Sequence, residues 1–378
     1  MRSLTNNSPI EPVNQGGDRT TKEELMKTQL IPIILAGGKG ERFWPVSRLK
    51  KPKQFLCLDG SDKSLLQATA ERLLNFAGGW DNLWVITSAI IASEVKQQLP
   101  ELPESNILVE PQGRDTAPAV TWATLEVAKK YGKNAIVGFF PADHWIGDTQ
   151  AYAETLQAAV QEAASKPSIV TLGITPNQPA TGYGYIEQGK EQGNFDGLPV
   201  YKVTRFTEKP DRQTAQSFID TGKFSWNSGM FIFKAGVVLS ELEKYAPDLL
   251  HLLSAKGQDA YAEIGKESID YALMEKTQLA YVLPANFGWD DLGDWNGVER
   301  LLKGDRDNVE LGTHISKNTK DAIIYASDRD EVIVTIGLKD VVIVRDGKVT
   351  LVVDKNHTQD IKQVVKSLQN KSEFKHLL

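Results

Sequence analysis

Apolar residues in this chain come in short blocks whose spacing alternates between the two periods of secondary structure. Ile31-Pro32-Ile33-Ile34-Leu35-Ala36 is a continuous apolar run stopped by Gly37 and Gly38, the pattern of a strand buried on both faces. Residues 64–76 place leucines and alanines at helical spacing, 83–87 form a second buried strand pattern, and 89–99 read as helix. A third strand over 106–110 precedes a helix over 117–131 that Pro118 starts in its first turn. A fourth strand over 135–140 ends at Pro141-Ala142-Asp143-His144. Strand–helix alternation of this kind predicts an α/β fold with a mostly parallel sheet covered on both sides. Such sheets bind ligands outside the carboxyl ends of their strands. The glycine segment, residues 110–117 and Asp143 all fall at such ends.

The middle of the chain is more mixed. Residues 153–165 read as helix and 169–174 as strand. Residues 183–188 and 203–209 read as strands flanking a polar loop, and 229–234 as a further apolar strand entered through the turn Asn227-Ser228-Gly229. After about residue 304 the texture changes. Short β-rich runs at 332–337, 341–344 and 349–353 are separated by turns such as Asp346-Gly347, with no long helix until 359–368. The expected organisation is a polar leader over 1–28 with a short helix near 22–27, a catalytic unit over 29–304, and a small β unit with a terminal helix over 305–378. The β runs suggest stacked coils, with a small sandwich as the alternative.

Composition narrows the function classes. Lys plus Arg total 43 against 49 Asp plus Glu in 378 residues, a formal net charge of −6. That balance argues against a nucleic-acid binder, which needs a basic face to neutralise phosphates. The one cysteine, Cys57, excludes an intramolecular disulfide framework, and its place in Phe55-Leu56-Cys57-Leu58 predicts a buried thiol. The histidines His144, His251, His314, His357 and His376 lack metal-ligand spacing. No apolar run reaches the ~18 residues a membrane helix needs. The first 28 residues show no secretory pattern, so a cytoplasmic enzyme is expected.

The sharpest chemical signal is Leu35-Ala36-Gly37-Gly38-Lys39-Gly40-Glu41-Arg42. Glycines at the end of a buried strand let backbone N–H groups approach an anion, and Lys39 and Arg42 add positive charge there. A Walker A loop would need Ser or Thr after Gly-Lys, and a dinucleotide fingerprint would need Gly or Ala where Phe43 stands, so both fail. Lys50-Lys51-Pro52-Lys53 follows within about fifteen residues and places a lysine in reach of the same anion. Asp143 stands at a strand end, and Asp290-Asp291-Leu292-Gly293-Asp294-Trp295 is a second acidic segment. Each alone reads equally as a cap or turn. One carboxylate from each would hold the Mg²⁺ that a triphosphate-handling enzyme needs, with substrate oxygens completing the shell.

At this point the motifs match a family. The glycine segment with Pro45, Lys51-Pro52-Lys53-Gln54-Phe55, Glu110-Pro111 through Thr116-Ala117-Pro118-Ala119, and Phe140-Pro141-Ala142-Asp143-His144 occur in order. Phe206-Thr207-Glu208-Lys209-Pro210, Trp226-Asn227-Ser228-Gly229-Met230-Phe231 and Trp289-Asp290-Asp291-Leu292-Gly293-Asp294-Trp295 complete the set. Together they resemble the mannose-1-phosphate guanylyltransferases among the sugar nucleotidyltransferases, over residues 31–368. The resemblance implies a Rossmann-like, GT-A-like nucleotidyltransferase sheet with a left-handed β-helix-like C-terminal unit, usually associated with homodimer formation. It implies GTP and mannose 1-phosphate as substrates, with no nucleic-acid or membrane partner.

It also implies residue roles. Leu35, Ala36, Gly37, Gly38, Lys39 and Gly40 with Arg42 would bind the triphosphate, and Lys53 would contact phosphates near the reacting centre. Glu110, Pro111, Arg114, Thr116 and Ala117 would hold the guanosine. Asp143 and Asp291 match the metal-binding pair, Asp291 rather than Asp290 because it directly precedes Leu292-Gly293. Gly184, Glu208, Lys209 and Asn227 would line the sugar phosphate site, and His144 would support the metal site rather than act as a base. Arg114-Asp115 departs from the Lys-Asn or Arg-Asn of many relatives. The longer bacterial relatives carry a further isomerase barrel that does not fit before Leu378, so a monofunctional chain is expected. The rivals are the same chemistry on glucose 1-phosphate with ATP, UTP or dTTP, and a silent sugar-nucleotide sensor that would have lost the loop glycines or a metal carboxylate.

Overall fold

In the computed structural model, which describes residues 29–378, the first strand β1 (Leu30–Ala36) is almost wholly buried. The leader expected over 1–28, with its helix near 22–27, lies outside the described residues. After β1 come α1 (Leu65–Ala77), β2 (Trp84–Ser88), α2 (Ala92–Gln98), β3 (Ile107–Glu110), α3 (Thr116–Tyr131) and β4 (Ile136–Pro141). The chain continues through β5 (Trp145–Ile146), α4 (Thr149–Ser165), β6 (Ile169–Ile174), β7 (Gly184–Phe195), β8 (Leu198–Glu208), α5 (Arg212–Thr221) and β9 (Phe224–Lys234). Helices α6 (Ala235–Tyr245) and α7 (Pro247–Lys256), strands β10 (Ala280–Ala285) and β11 (Trp289–Asp290), and helix α8 (Trp295–Leu302) complete this part.

One sheet of nine strands runs β3-β2-β1-β4-β9-β6-β10-β8-β7. Strands β1 to β4 pair in parallel, as do β6 and β10, while β9 runs antiparallel between β4 and β6. Helices cover both faces, and two apolar clusters fill the layers on either side of β1: Ile34, Leu73 and Val85 on one, Ile33, Val120 and Phe139 on the other. This is the expected α/β architecture. Helix α1 starts where Ser64 and Gln67 form a reciprocal capping box.

The structure corrects three local expectations. The polar stretch between 188 and 203 is not a loop: β7 and β8 continue as an antiparallel arm that pairs Gly184 with Glu208 and Phe195 with Leu198, turning at Asp196-Gly197. The segment 227–229 is not a strand-entry turn, because β9 begins at Phe224. There Thr171 pairs with Phe231 and Gly173 with Asn227, so the extra residues form a bulge inside the strand. Cys57 is exposed, not buried. Leu56 is extended, with φ −97° and ψ 147°, so Leu56 and Leu58 turn inward and Cys57 between them turns out.

The C-terminal unit is built from β12 (Val309–Leu311), β13 (Thr313–Lys317), β14 (Ile323–Ala326), β15 (Val332–Ile336), β16 (Val341–Asp346) and β17 (Val349–Asp354), followed by helix α9 (Ile361–Gln369). Strands β12, β14 and β16 stack in parallel on one side and β13 with β15 on another, which is the stacked-coil arrangement of a β-helix; β17 closes it antiparallel to β16. Its core is continuous with the segment after the glycines. Phe43, Trp44, Leu56 and Trp295 pack with Val309, Ile323, Val342, Ile361 and Val365. No helix among the described residues is long and apolar enough to cross a membrane.

Candidate active site

Three strand ends, those of β1, β4 and β11, converge on one cleft. Strand β1 releases Gly37, Gly38, Lys39 and Gly40 before a short 3-10 turn, Glu41–Phe43. Gly40 sits at φ 58° and ψ 30°, and a Cβ there would lie 2.4 Å from the Lys53 Cβ and 2.6 Å from its backbone nitrogen. Only glycine lets the loop close on Lys53. The loop is held from behind by buried polar groups: the Gln54 amide donates to the Gly38 carbonyl at 3.2 Å, and the Thr87 hydroxyl donates to the Ala36 carbonyl at 2.9 Å.

Lys53 is the hub. Its side chain is buried, and its ammonium donates to the Asp143 carboxylate at 2.7 Å and to the main-chain oxygens of Asp291 at 2.6 Å and Leu292 at 3.2 Å. Arg42 donates to the Gly293 carbonyl at 3.2 Å. The loop after β1, the end of β4 and the acidic segment after β11 are thus tied together across more than 200 residues of sequence. The open cleft they share, about 790 Å³ with the space open to solvent, is walled by Lys39, Arg42, Lys53, Asp143, His144 and Asp291.

The two adjacent acids separate cleanly. Asp290 takes a two-pronged contact from Arg300 at 2.7 and 2.9 Å and accepts from the Leu292 N–H at 2.7 Å, so it braces the turn. Asp291 faces the cavity, and its carboxylate accepts from the Tyr183 hydroxyl at 2.8 Å. Burial and the Asp291 carboxylate both push the Tyr183 hydroxyl far above its ordinary value, so it stays a donor. Its ring packs edge-on to Trp226 and Trp289. Burial alone would raise Asp143, but the Lys53 ammonium outweighs it and holds the carboxyl below its usual range. Burial holds His144 below its usual value; the Trp289 indole donates to its Nδ1 at 3.2 Å, which fixes a neutral ring.

A second cleft, about 760 Å³ with the space open to solvent, runs from Gly37 and Gly38 past Ser88, Ile90 and Gly113, with Trp44, Val365 and Leu378 also on its wall. Glu110 is 6% exposed beside Gly37, one carboxylate oxygen 3.8 Å from where a Gly37 Cβ would stand and the other without a partner among the described residues. Burial, with a smaller push from Asp115, raises it to about 7 against the neighbouring Tyr261 hydroxyl. Pro111 is exposed. Arg114, Thr116 and Ala117 turn instead to another segment. The Arg114 Nε donates to the Tyr261 carbonyl at 3.1 Å, Thr116 accepts from the Ile269 N–H at 2.8 Å, and the Ala117 N–H donates to the Glu267 carbonyl at 3.1 Å.

Gly184, Glu208 and Asn227, expected at the sugar phosphate, come together. A Cβ at Gly184 would meet a Glu208 carboxylate oxygen at 2.8 Å and the Asn227 Cβ at 3.5 Å. Lys209 pairs with Glu208 and is largely exposed. The bulge in β9 aims the Asn227 amide at Asp270, to which it donates at 2.9 Å; burial raises that carboxyl. Tyr183, Gln54 and Asp270 bond to site residues, and the sequence pattern gives them no role. Tyr183 stands in the strand expected over 183–188 and Gln54 in a matched motif, whereas Asp270 stands in no pattern.

The acids present fit a hard divalent cation. Asp143 and Asp291 share a cavity wall, but no group of three His, Cys, Asp or Glu among the described residues could hold a metal unaided. Two carboxylates completed by phosphate oxygens and water are what Mg²⁺ takes.

Comparison with known proteins agrees with this geometry. Residues 31–307 match the nucleotidyl transferase family and residues 312–368 the MannoseP isomerase/GMP-like beta-helix domain. The chain is 38% identical to a mannose-1-phosphate guanylyltransferase of Salmonella montevideo over 92% of its own length and 76% of the relative's. It is 37% identical to one of Escherichia coli K12 over 93% and 76%. A crystal structure described as a mannose-1-phosphate geranyltransferase from Thermus thermophilus superposes with a TM-score of 0.82 at 32% identity, covering 90% of this chain and 99% of that one. The chain therefore belongs to the nucleotidyl transferase family, within its mannose-1-phosphate guanylyltransferase group.

Proposed function

We propose that this enzyme transfers GMP from GTP to α-D-mannose 1-phosphate, giving GDP-mannose and pyrophosphate. The chemistry rests on one observation: a buried ammonium, Lys53, joins the glycine loop, Asp143 and the Asp291 segment at one cavity. The sugar phosphate oxygen attacks the α-phosphorus in line, a new P–O bond forms, and the bond to the bridging oxygen of pyrophosphate breaks. The nucleophile is already an anion, so no protein base is needed, and positioning with charge neutralisation supplies the rate. Backbone N–H groups of Gly37, Gly38 and Gly40, with Lys39 and Arg42, hold the triphosphate, and Lys53 neutralises charge at the α-phosphate. Asp143 and Asp291 would hold Mg²⁺, which supplies Lewis-acid stabilisation of the same phosphate; Tyr183 orients Asp291.

The choice of base is supported by Glu110. Guanine offers N1–H and N2–H side by side, and one carboxylate accepts both; adenine, uracil and thymine lack that pair of adjacent donors. Gly184, Glu208, Lys209 and Asn227, joined by Asp270, receive the sugar hydroxyls and phosphate. We assign Pro111, Arg114, Thr116 and Ala117 to shaping the base loop, from their contacts with 261–269. Residues 29–304 form the catalytic unit and 305–378 the β-helix unit, which pairs two copies of the chain. A cytoplasmic setting, where GTP is abundant, suits this reaction.

The test is pyrophosphate release with Mg²⁺, each sugar 1-phosphate and each nucleoside triphosphate in turn. Release confined to GTP with mannose 1-phosphate is expected; release only with dTTP or ATP and glucose 1-phosphate would overturn the reading. Within the same assay Asp291→Ala should lower kcat by about three orders of magnitude and Asp290→Ala by no more than about tenfold. Equal losses would sink the assignment of Asp291.

A further inference from the structure

We propose that Lys362, carried by helix α9 of the C-terminal unit, is a substrate-binding residue that grips the pyrophosphate end of the nucleotide. The inference rests on the reading that the cavity takes a nucleoside triphosphate. Lys362 lines the same open cleft as Arg42, Lys53, Asp143 and Asp291, although some 300 residues separate it from the first two. Of the cations on that wall, Lys53 is bonded to Asp143 and Arg42 to the Gly293 carbonyl. Lys39 and Lys362 have no carboxylate partner among the described residues, and Glu41 is the one acid on their side of the wall. A triphosphate brings about four negative charges near neutral pH, more than the committed Lys53 and Arg42 balance, and ammonium groups bind phosphate oxygens as point charges.

The helix does not sit there by chance of exposure. Ile361 and Val365, on either side of Lys362, are 2% and 6% exposed and pack into the core that holds Phe43 and Trp44, the residues directly after the glycine loop. The Trp44 indole donates to the Leu377 carbonyl at 2.8 Å, which ties the end of the chain to the same loop. At the other end, Asp294, three residues after Asp291, accepts from the Thr358 hydroxyl at 2.8 Å and from the Gln359 amide. Helix α9 is therefore fixed between the glycine loop and the segment that carries the acid, and Lys362 projects from it with its ammonium unpaired among the described residues. Lys53 occupies the Asp143–Asp291 side, so Lys362, on the Arg42 side, meets the β- and γ-phosphates, the group that leaves.

That placement separates the substrates of the two directions. Pyrophosphate and GTP carry the phosphates that Lys362 would hold, whereas in-line attack places the sugar-linked phosphate of GDP-mannose on the opposite face of the α-phosphorus, away from Lys362. Lys362→Ala should raise KM for pyrophosphate in the reverse reaction and for GTP in the forward one by about tenfold each, the loss of one charge-assisted contact. KM for GDP-mannose should stay within about twofold, Lys362→Arg should restore most of the loss, and Lys366→Ala, an exposed lysine one turn along the helix, should change nothing. A pyrophosphate KM that moves less than twofold, or an equal shift in Lys366→Ala, would overturn the proposal. Calorimetric titration with magnesium tripolyphosphate reads the same contact without nucleoside or sugar. Binding about tenfold weaker in Lys362→Ala than in wild type supports it even if wild type fails to act on GTP and mannose 1-phosphate, which would sink only the substrate reading. Equal binding, or none in wild type, sinks this one.

Discussion

At the scale of single residues, the site is a set of groups whose ordinary chemistry has been shifted by what surrounds them. Lys53 is buried yet satisfied by a carboxylate and two carbonyls, which hold its side chain in place. Glu110 is buried without a cation and is raised to about 7. Below that pH it carries a proton and cannot accept from both guanine donors; above it the carboxylate is ionised and can. GTP affinity should therefore rise with pH through 7. At that value the ionised fraction climbs about tenfold between pH 6 and pH 8, so KM for GTP should fall by up to that factor. Glu110→Gln should bind GTP weakly at both pH values. The variant also carries the titration of the phosphates themselves, so the ratio of wild type to variant isolates Glu110. A ratio that is flat, or that runs the other way, would remove Glu110 from base recognition.

At the scale of elements, what was legible in the sequence was what local pattern dictates. Strand β1 and its glycine stop, the helices α1 and α3, and the strand ends carrying Glu110 and Asp143 follow from runs and periods in a single segment. The outer part of the arm, between 188 and 203, reads as a loop from sequence because much of its surface is exposed and no apolar face marks it; only pairing between its halves makes it a sheet. Tyr183 and Asp270 reach the site through bonds to Asp291 and Asn227, 108 and 43 residues away, which no spacing rule encodes. Cys57 was misread because its neighbours are apolar on an extended segment, where adjacent side chains face opposite ways. The clamp between the acidic segment and the C-terminal unit was also invisible. Asp294 is the N-cap of α8, accepting from the Asn296 N–H at 2.9 Å, and is also bonded to Thr358 and Gln359. Asp294→Ala should cost about 2 kcal/mol, a cap plus two stranded donors, whereas Thr358→Val should cost about 1 kcal/mol. Urea unfolding monitored by tryptophan fluorescence measures both, and equal midpoints for Asp294→Ala and wild type would show that the clamp holds nothing.

At the scale of the whole molecule, the β-helix unit has two faces with different uses. One packs on the glycine-loop segment and shares its core. The other, formed by β13 and β15, points Val332, Val334 and Ile336 outward at 53%, 61% and 69% exposure, with Ile315 at 58% directly opposite Val334 in the parallel pair. Alternation explains the row, since Thr335 between two of them is buried. A contiguous apolar stripe of this kind on the far side of a catalytic unit is costly to leave in water, and a second copy of the same stripe is its natural cover, since a two-fold interface matches a patch to itself. The proposed dimer would leave both active sites open, because the glycine loop and α9 lie on the opposite, core-forming side. Val334→Glu would place like charges at the centre of such an interface. In sedimentation velocity at micromolar concentration, wild type should run at twice the mass of one chain and Val334→Glu at the mass of one. GMP transfer per chain should stay within about twofold, since the substitution touches none of the groups that bind substrate. A wild type that sediments as one chain, or a variant that still pairs, would assign the stripe to some other contact.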